Sequence, residues 1–392
     1  MIEWREMKSG WLAGLIIGCL TLSEFSPQTI DAADQQRPNI VWIIPDDMSA
    51  NFSCYGETAI QTPNVDRLAA SGVKFTNAYV TAPVCSTCRS AFITGMYQTS
   101  IGAHHHRSGR GELKIKLPEG IQLVPKLFQE AGYHTSITGW PMNGRLGKTD
   151  YNFEWDKSVY DGNDWAKRKK GQPFFAQIQT AGGKLRGKDA SGWEKVSRAA
   201  EKRFGSRTPN SAVNLPPYYP DHPVFRQMIA DHYNTILELD RITGEIIAAL
   251  KRDGHYENTA IFFFSDHGCA LPRHKQFIYD EGIRVPLIVG GPGIGKGQVR
   301  KDLVSGIDLG PTSLALAGIK IPDTMQGRNM LSPDFQRDYV VSARDRCDFT
   351  IDRIRAVTTQ RFKYIRNFMT DKPYLQPNYR SESPSMQLLA QM

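Results

Sequence analysis

Two pairs of polar residues stand where the sequence could assemble a metal site. Asp46–Asp47 closely follows the apolar run 39–44, and Asp266–His267 closely follows the apolar run 259–264. Both runs are typical of strands buried on both faces, and open α/β sheets bind ligands at the carboxyl ends of such strands. Carboxylates that converge at one place attract a hard divalent cation. By itself each pair is more typical of a turn or a helix cap, so the prediction depends on the two pairs meeting.

A second candidate for chemistry is Cys85, which forms a C-x-x-C arrangement with Cys88. Such a pair occurs in redox sites and in zinc sites, but the chain has no second C-x-x-C to complete a four-cysteine zinc site. The other cysteines are irregularly spaced and predict no disulfide framework. We expect Cys85 to be the first residue of a helix over 85–96.

These residues need a scaffold, and the rest of the chain predicts one. Apolar strand-like runs alternate with helix-like segments, which indicates an α/β fold with a mainly parallel or mixed central sheet flanked by helices. After residue 337 the pattern changes to short strands, which predict a small C-terminal antiparallel sheet. The predicted strands are 39–44, 75–80, 135–138, 173–179, 259–264, 285–289, 339–343, 354–359 and 362–367, and the predicted helices are 62–70, 85–96, 124–131, 225–252 and 308–317. Segments 167–170 and 186–202 read as solvated insertions, and 381–392 as a polar tail.

The N-terminus indicates export. The apolar run 11–22 follows Lys8, is too short to span a bilayer, and precedes a polar stretch that ends in Ala32–Ala33. We therefore expect a signal peptide over 1–33, an exported (periplasmic or secreted) mature protein and no stable membrane span. A lipoprotein signal at Cys19 and a buried core helix are the alternatives.

The charge of the chain favours anionic partners. The formal net charge is +8, which suits nucleic acid, anionic lipid or a sulfated polysaccharide. The single Lys/Arg run, 167–170, is too short to predict a nucleic-acid-binding surface.

The segment 82–95 resembles the signature of the sulfatase family, the formylglycine-dependent (type I) enzymes of the alkaline-phosphatase-like superfamily. That signature is Cys-x-Pro-x-Arg followed by a Leu/Ile-Thr-Gly run, and Cys85, Arg89 and 93–95 stand in the matching places. The resemblance extends in order from about residue 37 to 368. Its further blocks are 37–47, 62–69, 265–268 and 275–286.

The resemblance implies a reaction. Cys85 would be oxidised by a formylglycine-generating enzyme, and the aldehyde would hydrate to a gem-diol that attacks the sulfur of a sulfate ester or sulfamate. Arg89 would orient the diol, and Lys275 would hold a sulfate oxygen. The implied ligands of one divalent cation, Ca²⁺, are the residues at positions Asp46, Asp47, Asp266 and His267, with Cys85 as the fifth. Many relatives have Asn at the last of the four strand-end positions.

The chain departs from the family pattern at three positions. Thr87 stands where the family prefers Pro, and this bears on whether Cys85 is recognised for oxidation. Asp150 replaces the histidine of a Gly-Lys-x-His stretch that keeps Lys148, and Lys184 stands where a later histidine is expected. Lys148 and Lys184 could still bind sulfate oxygens. From the loop 104–106, we predict His105 as a pocket-lining, substrate-binding residue, together with Lys184 and Asp150.

We therefore predict a signal peptide (1–33), a catalytic domain (34–335) and a partial C-terminal subdomain (336–392), which is shorter than the family's and is expected to be truncated. The expected substrate is a sulfated saccharide, because 147–153 and 173–176 resemble heparan N-sulfatase-like bacterial members. Two alternatives stay open: a non-catalytic glycan-binding relative and a phospho-ester hydrolase of the same superfamily.

Overall fold

A computed structural model of the protein describes residues 37–112, 114–142, 144–373 and 376–392, and the apolar runs form its central sheet. The sheet has seven strands in the order β3-β4-β1-β5-β6-β2-β7. Six strands run parallel, whereas β6 is antiparallel to both of its neighbours. The strands are β1 (Asn39–Pro45), β2 (Gly72–Tyr79), β3 (His134–Gly139), β4 (Phe174–Thr180), β5 (Thr259–Phe264), β6 (Leu287–Gly290) and β7 (Gln298–Ser305).

Strand β1 lies in the middle of the sheet with both faces buried. Alternate residues of a strand point to opposite faces, and here Trp42 packs in one hydrophobic cluster while Val41 and Ile43 pack in the other. The Trp42 ring makes edge-on contacts with Phe175 of β4 and Phe264 of β5, at centroid distances of 5.1 and 5.5 Å. Such pairs add about 1 kcal/mol each beyond the buried area. The strand that ends at the acidic pair is therefore held firmly in place.

Helices cover both faces of the sheet, so the predicted α/β fold with a mixed central sheet is confirmed. The helix α2 begins at Cys85, after Val84 in an extended conformation, and ends at Gly95, which adopts the left-handed conformation that glycine favours. The helices are α1 (Pro63–Ala70), α2 (Cys85–Thr94), α3 (Val124–Glu130), α4 (Ala190–Phe204), α5 (Pro223–Arg252), α6 (Asp280–Ile283), α7 (Leu309–Leu316) and α8 (Pro384–Gln391).

Three elements differ from the sequence-based predictions. The segment 186–202 is not a solvated insertion: α4 packs on α5 and buries Trp193, Val196 and Ala200, which recur at helical spacing between charged residues. Strand β7, at one edge of the sheet, was not predicted, because its first five residues are exposed or half-buried and form no apolar run. The polar tail contains α8, which contacts α5.

A second sheet of three antiparallel strands follows the elements of the central sheet, as predicted. Its order is β10-β9-β8, formed by β8 (Val340–Arg344), β9 (Ile354–Thr358) and β10 (Lys363–Asn367). Residues 37–392 form one compact unit, and the boundary at 335 stays a prediction. The expected signal peptide and Cys19 lie outside the described residues. Within the described ranges, no helix is long and apolar enough to cross a bilayer.

Candidate active site

The two acidic strand ends meet at one edge of the sheet. Strands β1 and β5 pair in parallel, so the residues that follow them emerge side by side. The backbone N–H of Asp47 donates to Asp266 Oδ1 at 3.2 Å. Asp47 has a left-handed backbone (φ 56°), which is uncommon outside glycine and concentrates at functional sites. Four other non-glycine residues share this conformation among the described residues: Arg107, Asp150, Arg273 and Gln276.

The first residue of α2 faces these strand ends. Cys85 Sγ lies 3.0 Å from His267 Nε2, 3.4 Å from Lys275 Nζ and 3.8 Å from Lys184 Nζ. One ligand atom each from Asp47, Cys85 and His267 lie within 4.8 Å of one another, and all three residues are buried. Across the described ranges, this is the one group of three or more such donors that could hold a metal ion.

The imidazole of His267 is oriented as a ligand. Its Nδ1 lies 2.8 Å from the carbonyl oxygen of Gly268, so the hydrogen-bond pattern assigns the proton to Nδ1. Nε2 faces Cys85 and Asp47 Oδ1, which is 3.2 Å away. Burial opposes protonation of the ring, but Asp266, Cys85 and Asp47 raise its pKa, so a cation bound at Nε2 would displace a proton. A backbone acceptor on the second ring nitrogen is the usual support of a metal-binding histidine.

Arg89 joins the other two carboxylates. Its Nε donates to Asp266 Oδ2 at 3.0 Å, one terminal nitrogen is hydrogen-bonded to Asp46 Oδ1, and the other donates to Gln179 Oε1 at 2.6 Å. The Arg89 side chain is buried. A planar guanidinium with three fixed partners holds the two acidic strand ends at a set separation.

Lysines complete the charge balance around Asp46 and Asp47. Lys148 and Lys184 lie 3.0 and 2.7 Å from the Asp46 carboxylate, and Lys275 Nζ lies 2.8 Å from Asp47 Oδ1. Burial by itself would raise the pKa of Asp46, but Lys148, Arg89 and Lys184 hold it well below its usual value. The carboxylates therefore stay ionised, as ligands of a cation must be.

The same cations act on the nucleophile candidate. Burial alone would raise the pKa of the Cys85 thiol, but Lys148, Lys275, His267 and Lys184 lower it to about 6. Four basic side chains (Arg89, Lys148, Lys184 and Lys275) surround three carboxylates (Asp46, Asp47 and Asp266) and the Cys85 thiol. With a divalent cation bound as well, the centre would carry an excess of positive charge and suit a bound anion.

Two glycines permit the approach of Lys184. The chain turns after β4 through Gly182 and Gly183, and Gly183 N donates to Asp46 O at 2.9 Å. A Cβ on either glycine would lie 2.3 Å from a backbone oxygen of the Asp46–Asp47 pair. Only residues without a side chain allow this close packing, which brings Lys184 onto the Asp46 carboxylate.

The donor set fits a divalent cation. Asp46, Asp47 and Asp266 offer carboxylate oxygens from one edge of the sheet, and His267 offers Nε2 from a ring whose orientation is fixed at Nδ1. Hard oxygen donors are what Ca²⁺ and Mg²⁺ prefer, whereas a zinc site would favour more nitrogen and sulfur ligands.

The remaining predicted residues lie around this centre. Asp150 forms an ion pair with Arg110 at 2.6 Å and lies 3.8 Å from Lys148. Burial opposes ionisation of Asp150, but Lys148 and Arg110 lower its pKa. His105 is half-buried, and its Nδ1 accepts a hydrogen bond from the backbone N–H of Arg346 at 3.3 Å. Its contacts are thus with the start of the C-terminal region.

Sequence reasoning missed His106. This residue is buried, and its Nδ1 lies 2.8 Å from the hydroxyl of Ser86, the neighbour of Cys85. Its Nε2 is buried and has no hydrogen-bond partner among the described residues. Burial, followed by Arg107 and Lys275, lowers its pKa to about 2, so the ring is neutral. Three consecutive histidines carry no periodicity from which the inward-facing one could be chosen.

The two cysteines of the C-x-x-C arrangement have separate environments. Cys85 faces the charged centre, whereas Cys88 packs in the hydrophobic core and has a free thiol. Burial, followed by the charge of Asp266, raises the pKa of Cys88 well above its usual value. Redox or zinc chemistry shared by the two thiols therefore has no support in the structure.

Comparisons with known proteins identify what this arrangement is similar to. The family model described as "Sulfatase" matches residues 38–319, and the model described as "N-sulphoglucosamine sulphohydrolase, C-terminal" matches residues 272–376. An ulvan-active sulfatase of Formosa agariphila is 33% identical, and the match covers 91% of this chain and 65% of that protein. N-acetylgalactosamine-6-sulfatase of Rattus norvegicus is 29% identical over 74% of this chain and 64% of its own length. The chain thus spans slightly less than two thirds of these relatives.

A solved structure in complex with its substrate D-glucosamine-2-N,6-O-disulfate has the same fold. Its TM-score is 0.62 at 22% sequence identity, and the match covers 85% of this chain and 89% of that one.

Proposed function

The chain belongs to the sulfatase family, and we propose that it hydrolyses a sulfate ester or sulfamate of a sulfated glycan. The observation that carries the proposal is the position of Cys85. Its side chain lies at the N-terminus of α2, 3.0 Å from His267 Nε2 and 3.4 Å from Lys275 Nζ, beside three buried aspartates. Such a position suits a nucleophile that attacks the sulfur atom of a sulfate group.

Oxidised to formylglycine, Cys85 would supply a hydrated aldehyde. One hydroxyl group would attack sulfur as the S–O or S–N bond to the sugar breaks, and the sugar oxygen or nitrogen would take up a proton. The second hydroxyl group would then lose its proton, which expels sulfate and restores the aldehyde. The surrounding residues prepare the site for the anionic substrate. Arg89 holds the strand ends in place, and the N–H groups of the first turn of α2 favour negative charge. Lys275 and Lys184 lie within 4 Å of the Cys85 sulfur, which supports a role for both in binding the sulfate oxygens.

Lys275 would stabilise the charge that develops on the leaving group. Burial opposes its ionisation, but Asp47 and Cys85 raise its pKa well above the ordinary value. Its charge is therefore permanent, and a preorganised charge in a buried site stabilises a transition state without the cost of reorienting solvent. Lys148, which contacts Asp46 Oδ1 at 3.0 Å, would hold another sulfate oxygen.

We propose that Asp46, Asp47, Asp266 and His267 hold one divalent cation, Ca²⁺, with Cys85 as the fifth ligand. When bound, the cation would neutralise sulfate oxygens and lower the pKa of the attacking hydroxyl group. Three carboxylates support a hard cation over zinc. A phospho-ester hydrolase with two zinc ions would need a second set of ligands, and the described ranges contain one group of three donors.

The substrate class rests on charge and on the relatives. The net charge is +8, one relative is named for ulvan and another for N-acetylgalactosamine 6-sulfate, and the C-terminal match is to an N-sulphoglucosamine sulphohydrolase model. These support a sulfated saccharide, in line with the resemblance to heparan N-sulfatase-like members. The N-terminal sequence supports export to the periplasm or the medium, where such glycans are found.

Sulfate release tests the proposal. The protein is co-expressed with a formylglycine-generating enzyme, and sulfate is measured from 4-nitrophenyl sulfate and from sulfated oligosaccharides. We expect Cys85→Ala to abolish turnover and Cys88→Ala, in the core behind it, to retain activity in the folded protein. Unchanged turnover in Cys85→Ala would contradict the mechanism. The second candidate function is a non-catalytic, glycan-binding protein, and it is favoured by Thr87 and Asp150, two positions where the family has other residues. A protein with no turnover and with unmodified Cys85 would support this candidate.

A further inference from the structure

The C-terminal tail is attached to the loop that carries Lys275. The buried Arg380 donates to Lys275 O at 2.8 Å, to Gln276 Oε1 at 3.2 Å and to Leu271 O at 3.4 Å. The backbone N–H of Tyr379 donates to Asp348 Oδ2 at 2.5 Å. These bonds hold the backbone at Tyr379 beside the loop that carries Lys275, and the Tyr379 ring centroid lies 5.7 Å from Lys275 Nζ.

Cations from three separate segments converge on the Tyr379 ring. The guanidinium of Arg107 lies 5.1 Å from the ring centroid, Lys188 Nζ lies 5.2 Å from it, and Lys275 Nζ lies 5.7 Å from it. Each of these distances is within the range of a cation–π contact. The ring therefore gathers charges that would otherwise repel one another.

Two of these cations are available to a ligand. Arg107 and Lys188 are exposed, and neither forms an ion pair with a carboxylate in the described part of the chain. Arg107 has a left-handed backbone (φ 61°), and its N–H donates to the hydroxyl of Ser86 at 2.8 Å, one residue from Cys85. Lys188 follows the turn Gly182–Arg186, which carries Lys184. Both cations are thus connected to the reaction centre through short, fixed segments.

We propose that Arg107 and Lys188, positioned by Tyr379, form a second anion subsite beside the Cys85 centre. The subsite would bind a further sulfate or carboxylate of the same saccharide, on the sulfated sugar or its neighbour. Lys275 links the two sites, because its Nζ lies 3.4 Å from Cys85 Sγ and 5.7 Å from the ring centroid. The substrate class is then a polyanionic saccharide rather than an isolated monosulfate. This inference rests on the proposed function.

The test measures binding, so that it does not depend on turnover. Cys85→Ala protein is titrated with sulfated, uronate-containing oligosaccharides prepared from ulvan and from heparin. In this background we expect Arg107→Ala and Lys188→Ala each to weaken binding about fivefold, the effect of losing one exposed ion pair. Lys170→Ala, an exposed lysine on another surface, is the matched control and should bind as the parent does.

Tyr379 is a positioning residue, and conservative variants separate that role from a structural one. Tyr379→Phe keeps the ring and should bind normally, whereas Tyr379→Ala should lose as much affinity as the double variant of the two cations. Arg107→Lys should recover part of the loss caused by Arg107→Ala. A general defect of folding would weaken Tyr379→Phe as well and would lower the melting temperature of all the variants.

Modified ligands identify the anion. If carboxyl-reduced oligosaccharide binds equally to parent and to Arg107→Ala protein, the subsite takes a carboxylate; if the ligand lacking one sulfate does so, it takes a sulfate. Equal affinity of the parent and both cation variants for every ligand would overturn the subsite, and so would the absence of binding to either oligosaccharide. Failure of the proposed function is a separate result: the wild-type protein would release no sulfate, while the binding differences would persist.

Discussion

His267 Nε2 lies 3.0 Å from Cys85 Sγ, although 182 residues separate them in the sequence. One residue follows a strand at the centre of the sheet, and the other begins a helix whose N-terminus points at that strand end. The contact places the candidate nucleophile on the Nε2 side of the imidazole. It also means that a change at either residue should be detectable at the other.

The first prediction concerns the metal. Asp266→Asn replaces a charged ligand by a neutral one and also leaves Arg89 Nε without its anionic partner. We expect bound Ca²⁺, measured by elemental analysis of the purified protein, to fall from about one per chain, and activity to fall at least tenfold. Asp156→Asn, on an exposed turn, is the control. Stoichiometric zinc without calcium in the wild-type protein would instead favour the phospho-ester hydrolase.

A second prediction is the titration of the unmodified thiol. In chelator-treated protein made without the modifying enzyme, the thiolate absorbance should appear with a midpoint near pH 6, the pKa of Cys85 in the folded chain. Because this pKa is depressed from the ordinary thiol value of 9.0, its stabilising contribution is complete above pH 9 and is lost as the pH falls through about 6. Cys85→Ala should lack the transition. A midpoint near 9 would mean that the lysines do not act on the thiol.

Thr87→Pro should increase the conversion of Cys85 to formylglycine. Thr87 is the third residue of α2, where the backbone N–H has no intrahelical acceptor, so Pro is tolerated there. Pro also restricts the unfolded peptide toward one shape, which favours recognition by the modifying enzyme. The variant loses the hydrogen bond from Thr87 Oγ1 to Val84 O, at a cost of about 1 kcal/mol.

Peptide mass spectrometry after trapping with an aldehyde-reactive amine measures this conversion. Thr87→Ala is the matched control, because it removes the same hydrogen bond without restricting φ. Equal conversion in both variants would show that the residue before Cys88 does not limit modification. A mass for the Cys85–Cys88 disulfide, in place of aldehyde, would show that the two thiols can leave the environments described here.

The fourth prediction separates Lys275 from the other lysines of the centre. Lys275→Ala removes the buried partner of Asp47 and a charge 3.4 Å from the Cys85 sulfur. We expect kcat/KM to fall about 10²–10³-fold, the usual effect of losing one preorganised charge. Lys275→Arg should retain more activity than Lys275→Ala. Thermal unfolding checks that each variant is folded, and Lys169→Ala serves as the surface control. If kcat/KM of folded Lys275→Ala fell by less than tenfold, Lys275 would have no role in the mechanism.

Local patterns in the sequence determined the scaffold of the site. The apolar runs before Asp46 and Asp266 predicted two buried strands, and parallel pairing of such strands brings their carboxyl ends together. Cys85 was predicted as the start of a helix, and the structure has it there. These predictions succeed because strand burial, helix starts and the meeting of parallel strand ends depend on short-range periodicity and on simple topology.

Other features were decided by tertiary contacts. Loops have no periodicity, so the sequence could not show that His106 rather than His105 turns toward Ser86, or that Gly182 and Gly183 bring Lys184 onto Asp46. The charged surface of α4 concealed its buried face. The polar composition of the C-terminus likewise concealed Arg380, whose side chain is buried only because the carbonyl groups of a distant loop accept its hydrogen bonds. The hydrogen-bond donors of a buried guanidinium need acceptors. Here the acceptors lie over a hundred residues away in the sequence, so only the folded chain brings them together.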